Sequence, residues 1–316
     1  MRGTKTLVTG GGGFIGSNLV RRLLEEGAEV RVLDNFARGR RENLSDVLDD
    51  VELVEGDIQS FERVHNAVRG CEVVFHQAAL PSVPRSIQDP LTSNATNVTG
   101  TLNVLLAARD AGVRRVVFAS SSSVYGANPA LPKSEEMPTL PISPYATAKL
   151  AAESYCRAFH EVYGLETVAL RYFNVFGPRQ DPQSEYAAVI PRFVNALLEN
   201  RSPTVYGDGE QSRDFTFVEN VLEGNVLAAN AQDVAGMSMN LACGQRISLN
   251  GVLETLAEVI GKNPPINYTE ARPGDVKHSQ ANISLARQKL GFEPSVSPRD
   301  GLERVVEWYA SAAPSR

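Results

Sequence analysis

A glycine-rich segment between a strand pattern and a helix pattern is the feature that most constrains how this chain folds. Gly10, Gly13 and Gly16 follow the apolar residues 6–8, and residues 14–26 then carry apolar side chains at helical spacing. Glycines permit a tight turn and let backbone N–H groups approach a pyrophosphate, to which a helix N-terminus adds partial positive charge. The segment therefore predicts the first strand, turn and helix of a dinucleotide-binding sheet.

An acidic residue at the end of the second predicted strand indicates which dinucleotide binds. Asp34 follows Gly10 by roughly the 20 residues at which a carboxylate accepts hydrogen bonds from a ribose hydroxyl. Such a carboxylate repels a 2′-phosphate, so NAD is favoured over NADP. Arg38, Arg40 and Arg41 lie nearby and leave two readings, a phosphate contact or solvated surface arginines, of which the second is favoured.

Two further strand ends are expected at the same edge of the sheet. Asp57 follows the third predicted strand, either as an adenine contact or as a loop residue before the helix that begins near Ser60. Residues 77–79, Gln-Ala-Ala, follow the fourth strand, and the small alanines would let a cofactor lie against the backbone. His76 is predicted to be packed or hydrogen-bonded, not catalytic.

Strand and helix patterns alternate through the first half of the chain. Strands are predicted at residues 6–8, 30–33, 51–54, 73–75, 116–118 and 167–170. Such alternation implies parallel strands with crossover helices on both faces. After about Asn174 prolines interrupt mixed segments, and no Ser/Gly linker separates two autonomous domains. The predicted fold is α/β, a doubly wound parallel (Rossmann) sheet in residues 1–174, with a smaller, partly interleaved C-terminal α/β substrate lobe in residues 175–316.

Composition excludes several other classes of protein. The 316 residues carry a net charge of −6, which argues against a basic face that binds nucleic acid. No apolar run approaches the ~20 residues of a membrane span, and no signal peptide pattern is present, so a cytoplasmic protein is expected. The three cysteines are far apart in sequence and predict reduced thiols, with neither a disulfide framework nor a metal site.

A tyrosine and a lysine four residues apart form the candidate catalytic pair. Tyr145 and Lys149 share one face of a predicted helix that Pro144 begins. A nearby ammonium, together with the positive ring of bound NAD, would favour the phenolate of a tyrosine whose pKa is ordinarily about 10. Residues 120–123 are four serines at the end of the fifth predicted strand, where a hydroxyl can relay a proton to Tyr145.

The chain resembles the extended short-chain dehydrogenase/reductases, and among them the UDP-sugar 4-epimerases, over nearly its whole length. The resemblance is carried by SPYATAK at 143–149 and LRYFNVFGPR at 170–179, and by residues 9–16, 120–126, 207–209, 213–215 and 272–275. The sequences QDP at 180–182 and YAAVIP at 186–191 are similar to those of UDP-N-acetylglucosamine 4-epimerases in particular.

The resemblance implies a mechanism and a set of site residues. Tyr145 as phenolate, helped by Ser121, removes the proton of the sugar 4-hydroxyl, while hydride passes from C4 to retained NAD and returns to the other face of the 4-keto sugar. Lys149 also holds the nicotinamide ribose. The expected cofactor residues are Gly10, Gly13, Phe14, Ile15, Gly16, Asp34, Asn35, Phe36, Arg38, Gly39, Asp57, Ile58, Gln77, Ala78, Ala79, Ser120, Tyr145, Lys149 and Tyr172.

The resemblance also implies how a UDP-sugar binds to the second lobe. Asn174, Arg213 and Arg272 would hold the phosphates, Asp275 the uridine ribose, and Val189 with residues 204–206 the uracil. A small Ser279 would leave space for a 2-acetamido group, where epimerases restricted to UDP-glucose and UDP-galactose tend to carry Tyr. The expected substrate residues are Ser122, Ser123, Asn174, Val189, Thr204, Val205, Tyr206, Arg213, Arg272, Asp275 and Ser279.

Three alternatives stay open at this point. Ser123 stands where dehydratases and decarboxylases of the family carry an acid, which favours epimerisation over elimination. A UDP-glucuronate 4-epimerase or decarboxylase would want a cation for the sugar carboxylate, with Arg85 or Arg179 as candidates. A non-catalytic nucleotide-binding protein would usually have lost the tyrosine or the lysine. The family also implies a homodimer built on helices near residues 98–111 and 145–163.

Overall fold

The computed structural model describes residues 1–181, 188–270 and 277–312, and all statements of structure concern these residues. The strands are β1 Lys5–Thr9, β2 Glu29–Asp34, β3 Val51–Glu55, β4 Val73–His76, β5 Arg115–Ser121, β6 Glu166–Tyr172, β7 Val175–Phe176, β8 Thr204–Tyr206, β9 Ser212–Arg213, β10 Thr216–Phe217, β11 Met237–Leu241, β12 Ile247–Ser248 and β13 Asn267–Thr269. The helices are α1 Phe14–Glu25, α2 Phe61–Val68, α3 Val83–Gln88, α4 Pro90–Asn94, α5 Gly100–Asp110, α6 Pro144–Tyr163, α7 Val189–Leu198, α8 Val218–Asn230, α9 Leu249–Ile260, α10 Ser284–Leu290 and α11 Pro298–Ala312.

Seven parallel strands form the central sheet, in the order β3-β2-β1-β4-β5-β6-β11. The order reverses between β1 and β4, so the carboxyl ends of these strands border the crevice where ligands of such sheets bind. β11 comes from the second half of the chain and pairs with β6. The predicted fold class is therefore confirmed, including the return of C-terminal segments to the sheet.

Local signals fix where the helices begin and end. Ser60, Ser143 and Ser248 each accept a hydrogen bond from a backbone N–H of the first turn of α2, α6 and α9. Pro144 occupies the first position of α6, as the sequence predicts, because that position needs no N–H donor. Gly164 ends the same helix with φ of 71°, a left-handed conformation that glycine adopts without a Cβ clash.

Two apolar layers enclose the sheet. Leu19 of α1 and Val221 of α8 are fully buried on one face, whereas Val104 of α5 and Phe159 of α6 pack in the layer on the other face. The C-terminal lobe adds three two-stranded sheets, β7 with β10, β9 with β12 and β8 with β13. The sequence did not predict these short pairs, because strands of two or three residues carry no readable periodicity.

A buried histidine at the end of β4 is held by a directed chain of hydrogen bonds. Thr9 Oγ1 accepts the Ala78 N–H and donates its own hydrogen to His76 Nδ1 at 2.7 Å, because the proton of the neutral ring is on Nε2. His76 Nε2 then donates to Thr101 Oγ1 at 3.0 Å, and the Thr101 hydroxyl donates to the Asn97 carbonyl. Burial and the charge of Lys149 lower the pKa of His76 to about 3. His76 is thus a neutral packed residue, in agreement with the sequence prediction.

This histidine makes the fold sensitive to acid. In the unfolded chain His76 binds a proton below its ordinary pKa of about 6.5. In the folded chain the same ring is protonated only near pH 3. The free energy of unfolding should therefore fall by about 1.4 kcal/mol per pH unit in that window through His76 alone. Urea titrations between pH 7.5 and 5 should show a flatter dependence for His76→Gln. The variant His65→Gln, at a partly exposed position of α2, is the matched control. Equal slopes for His76→Gln and the unchanged protein would contradict this assignment.

Candidate functional site

The glycine segment forms a tight cradle at the end of β1. Gly10 has φ of 71°, and a Cβ there would lie 2.7 Å from the backbone of Ala78. A Cβ at Gly16 would overlap the carbonyl oxygen of Gly10, whereas at Gly13 the nearest atom, the same oxygen, is 3.2 Å away. Gly13 is the residue before α1, so the helix N-terminus opens directly at the crevice. Close backbone approach and a helix terminus are the features that suit a pyrophosphate.

Asp34 ties the cradle to the loop after β2. Its Oδ2 accepts the Gly12 N–H at 2.8 Å, and its Oδ1 accepts the Phe36 N–H at 2.7 Å. Burial raises the pKa of Asp34, and these backbone hydrogen bonds act in the opposite direction. A carboxylate fixed beside the glycine turn suits the ribose of an unphosphorylated dinucleotide. Gly39 also belongs here, because a Cβ at Gly39 would lie 2.9 Å from Asp34 Oδ2.

The arginines after Asp34 have acidic partners on the protein. Arg40 Nη2 lies 2.6 Å from Asp181 Oδ2, and Arg41 is paired with Glu55. Arg38 is exposed. These contacts support the reading of Arg40 and Arg41 as surface arginines that bind carboxylates of the chain.

The next two predicted cofactor positions face different ways. Asn35 Nδ2 donates to Asp57 Oδ2 at 2.8 Å, and Asp57 Oδ1 accepts the Gln59 N–H, at the rim of the crevice. The Ile58 side chain is instead buried against α5, where a Cβ at Gly100 would lie 2.6 Å from Ile58 Cδ1. Only the backbone of Ile58 is therefore available to a cofactor.

Tyr145 and Lys149 lie on one face of α6, against the end of β5. The Tyr145 side chain is hydrogen-bonded to Ser121. Lys149 Nζ donates to the Ala119 carbonyl oxygen at 2.7 Å and lies 4.9 Å from the centre of the Phe118 ring. The expected juxtaposition of Ser121, Tyr145 and Lys149 is thus present.

Burial pushes both groups of this pair towards neutrality. Burial raises the pKa of Tyr145, and the hydrogen bond with Ser121 acts against that increase. Burial also lowers the pKa of Lys149 to about 8, although nearby Cys156 and Glu153 oppose it. The expectation that the phenolate is favoured concerns Tyr145 beside Lys149 with NAD bound, and it stays a prediction.

The serine segment divides between the crevice and the core. Ser123 donates its hydroxyl to Ser121 Oγ at 2.9 Å, which leaves the Ser121 hydrogen free to donate to Tyr145. The Ser120 hydroxyl instead donates to Glu153 and is buried. The Ser120 side chain is therefore unavailable to a cofactor, which corrects the prediction at that position, because its hydroxyl is bound by Glu153 in the core.

A second set of hydrogen bonds joins β4, β6 and α8 near the crevice. Gln77 Nε2 donates to the Tyr172 hydroxyl at 3.1 Å, and Asn225 Nδ2 donates to the same oxygen at 2.8 Å. Burial raises the pKa of Tyr172 to about 12, so it stays a phenol. The sequence indicated Gln77 and Tyr172 but not Asn225, which lies far from both in the chain.

The second lobe brings several predicted substrate residues together. Arg213 Nη1 donates to the carbonyl oxygens of Ser212 and Lys277, and the Ser279 N–H donates to the Ser212 carbonyl at 3.0 Å. Asn174, with φ of 36°, donates to the Asp214 carbonyl. Residues 212–214 therefore bring together Arg213, Ser279 and Asn174, as binding of one ligand by all three would require. Arg272 and Asp275 lie outside the described residues.

The three residues of β8 that the sequence assigns to uracil differ in the exposure of their side chains. Thr204 and Tyr206 are partly exposed on β8, but Val205 between them is fully buried. The side chain of Val205 lies in the core and is unavailable to a ligand, which corrects the prediction at that position. Val189 begins α7 and is partly buried.

Comparison with known proteins places this arrangement in a family. Residues 6–242 match the model of the NAD dependent epimerase/dehydratase family. The chain belongs to that family. A UDP-glucose 4-epimerase of Mycolicibacterium smegmatis is 40% identical over 309 residues, covering 96% of this chain and 98% of the relative. The solved UDP-N-acetylglucosamine 4-epimerase of Methanobrevibacter ruminantium, in complex with UDP-N-acetylmuramic acid, has a TM-score of 0.94 at 40% identity. The superposition covers 98% of this chain and 99% of the chain of that epimerase.

The other branch considered from sequence is also represented. A UDP-glucuronate 4-epimerase of Thermodesulfobacterium geofontis is 34% identical over 313 residues, covering 96% of this chain and 95% of the relative.

NAD is the cofactor of the family, and the glycine cradle and Asp34 fit it. Within the described ranges no cluster of His, Cys, Asp or Glu suits a metal ion, and no helix is long and apolar enough to cross a membrane.

The glycine cradle allows a test that separates folding from cofactor binding. A Cβ at Gly13 meets only the Gly10 oxygen, so Gly13→Ala should fold with an unfolding free energy within about 1 kcal/mol of the unchanged protein. The methyl group would stand where the pyrophosphate approaches, so NAD should bind roughly tenfold or more weakly. NAD released by denaturing the purified protein gives the occupancy, and thermal unfolding gives the stability. An unchanged NAD content would show that the cofactor lies elsewhere.

Proposed function

We propose that this chain inverts C4 of a UDP-hexose, with NAD retained through the cycle, acting on UDP-GlcNAc and UDP-GalNAc as well as UDP-glucose and UDP-galactose. The observation that carries the proposal is the contact of Tyr145 with Ser121, beside Lys149, at the carboxyl end of β5. A phenol, a hydroxyl and an ammonium at this edge suit proton removal from a sugar hydroxyl next to a redox cofactor.

Tyr145 is the proposed base for the sugar 4-hydroxyl. The proton passes to the Tyr145 oxygen, directly or through Ser121, whose own oxygen accepts the hydrogen of Ser123. Ser121 therefore donates towards Tyr145 and favours its phenolate. When bound, NAD would supply the acceptor and donor of the C4 hydride, and its positive ring would favour the phenolate that burial alone disfavours.

Lys149 has two proposed tasks. Its ammonium, fixed on the Ala119 carbonyl, adds positive charge beneath Tyr145, and its remaining N–H donors are available to the nicotinamide ribose. Gly10, Gly13 and Asp34 are the residues proposed to hold the rest of NAD. On the other side of the crevice, Asn174, Arg213 and Arg272 are proposed to bind the UDP phosphates and Asp275 the uridine ribose.

The neutral serine pair supports epimerisation over elimination. Loss of water from a sugar needs an additional acid, and Ser123 provides only a hydroxyl that is already donated to Ser121. The proposal therefore assigns Ser122 and Ser123 to holding sugar hydroxyls.

A UDP-glucuronate 4-epimerase or decarboxylase is the second candidate. Of its two expected cations, Arg179 is engaged with Asn18, at 3.0 Å, and faces Asp46. Arg85, on α3, has a buried Nη1 with no hydrogen-bond partner among the described residues. Ser86 of the same helix accepts the Tyr145 N–H, so α3 borders the catalytic face of α6. Because this donor could bind a sugar carboxylate, UDP-glucuronate is included in the substrate panel below.

The lobe boundary and the dimer are part of the same proposal. Residues 1–174 supply the NAD side and residues 175–316 most of the UDP-sugar side, with β11 returning to the sheet. The proposed homodimer uses α5 and α6, and Val162 of α6 is 70% exposed, with Tyr155 and Tyr163 also exposed on that helix. Exposed apolar side chains along one helix are typical of a protein interface.

A panel of UDP-sugars offered without added NAD tests the proposal. We expect interconversion of UDP-GlcNAc with UDP-GalNAc and of UDP-glucose with UDP-galactose. NMR of the products measures both conversions. Ser279→Tyr should lower turnover of the N-acetylated pair by about 100-fold and spare the other pair, because the added ring takes the space of the acetamido group. Ser284→Tyr, at an exposed position of α10, is the control for introducing a tyrosine. Unchanged N-acetyl turnover in Ser279→Tyr, or carbon dioxide release from UDP-glucuronate alone, would refute the assignment.

A further inference from the structure

Three consecutive residues at the end of β5 are bound by three side chains of one α6 face. Ser121 is hydrogen-bonded to Tyr145, the Ala119 carbonyl accepts from Lys149, and the Ser120 hydroxyl donates to Glu153. Residues 145, 149 and 153 are spaced four apart, so they stand one above another on the helix. Glu153 therefore completes a row that begins with the proposed base, although it lies two turns from that base.

Glu153 is also the acidic half of a buried ion pair with Arg171. Nε and Nη2 of Arg171 donate to the two carboxylate oxygens at 3.0 and 2.8 Å, and both residues are nearly inaccessible to solvent. Arg171 stands opposite Ser120 in the register of β6 with β5. Its Nη1 donates to the Tyr125 hydroxyl at 2.9 Å, at the end of the turn that begins with the serines. The pair thus joins α6, β5, β6 and the serine turn.

We propose that Glu153 is a positioning residue for the reaction, which fixes the Tyr145–Lys149 face of α6 on β5 through Ser120 and Arg171 and keeps the charge on Lys149. The inference rests on the proposed function for its kinetic consequences, but not for the behaviour of Lys149 itself. A buried ion pair is weak evidence for stability, because replacing both charges together often costs little. A specific task at this position is therefore a better account of the pair than stability alone.

The groups around Lys149 identify Glu153 as its counter-charge. Cys156 and Glu153 of α6 oppose the effect of burial on the pKa of Lys149, and His76 of β4 also acts on it. Burial raises the pKa of the Cys156 thiol, so it is neutral near pH 7, and His76 is neutral as well. Arg171 of β6 is not among the groups that shift the pKa of Lys149, and Tyr145 is a phenol. Among the described residues that act on Lys149, Glu153 is the one that is negatively charged near pH 7.

The test compares two double variants that each remove an ion pair from the same sheet, one fully buried and one with a buried arginine and a partly exposed glutamate. Glu153→Gln with Arg171→Gln removes the pair beside the site. Glu166→Gln with Arg115→Gln removes the pair at the opposite end of β5 and β6, where Arg115 Nη2 lies 2.6 Å from Glu166 Oε2. Carbon-13 NMR of labelled lysines, with Lys149→Arg for assignment, follows the protonation of Lys149, and kcat is measured from pH 6 to 10.

We expect Lys149 to titrate about one pH unit lower in the Glu153–Arg171 double variant, with an equal shift in the alkaline limb of kcat. The Glu166–Arg115 variant should leave both unchanged, although it also loses an ion pair between β5 and β6. Ser120→Ala, which keeps every charge, should lower kcat several-fold at all pH values without moving the titration. It also serves if the first double variant does not fold.

Two results would overturn the inference. One is an unmoved titration of Lys149 in a folded Glu153–Arg171 variant, and the other is a fully active Ser120→Ala protein. Failure of the proposed function looks different, because the unchanged protein would then convert no UDP-hexose in the same assay while the Lys149 titration would still report on Glu153.

Discussion

The hydrogen bonds between the end of β5 and one face of α6 are the constraint on which the site depends. A long helix crossing a sheet can slide or rotate by a fraction of a turn at little cost, because apolar packing is not directional. Side-chain bonds from Tyr145, Lys149 and Glu153 to Ser121, Ala119 and Ser120 remove that freedom. The face of α6 that carries the proposed base is therefore set by polar contacts in the interior, where each unmade bond is costly.

The same interior determines the protonation states. Burial raises the pKa of Tyr145 and lowers that of Lys149, so both groups are pushed towards neutrality. A base at this position needs the phenolate, which we propose is stabilised by bound NAD, Ser121 and a charged Lys149. Chemistry at Tyr145 would then be coupled to cofactor occupancy, so that the base is strong only when its redox partner is present.

The negative charge of the whole chain and the anionic ligands of the family are compatible because attraction is local. The net charge is −6, but the open N-terminus of α1 faces the crevice from one lobe and Arg213 lies in the other. Several remaining arginines are already paired, such as Arg40 with Asp181. The proposed phosphate recognition would therefore depend on a few oriented donors and not on the surface as a whole.

Local sequence signals predicted much of this arrangement. The glycine spacing, Asp34 and the Tyr145–Lys149 pair depend on turns and helix faces, which neighbouring residues determine, and these features are present in the structure. Partners distant in the chain were not predictable in the same way. Ser120 turns to Glu153, Val205 turns to the core, and Asn225 reaches Tyr172 because of how the layers pack. Extending the Tyr145–Lys149 face by one turn would have indicated Glu153, since the spacing of four continues.

The most direct test of the central claim is the turnover of Tyr145→Phe at matched NAD content. Removing one oxygen leaves the ring to pack as before but deletes the bond with Ser121, so NAD should stay bound while the free energy of unfolding falls by about 1 kcal/mol. The account predicts a loss of about 100-fold or more in kcat for UDP-hexose epimerisation, because the 4-hydroxyl then has no base. A Tyr145→Phe protein that retains NAD and turns over at a near-normal rate would contradict it.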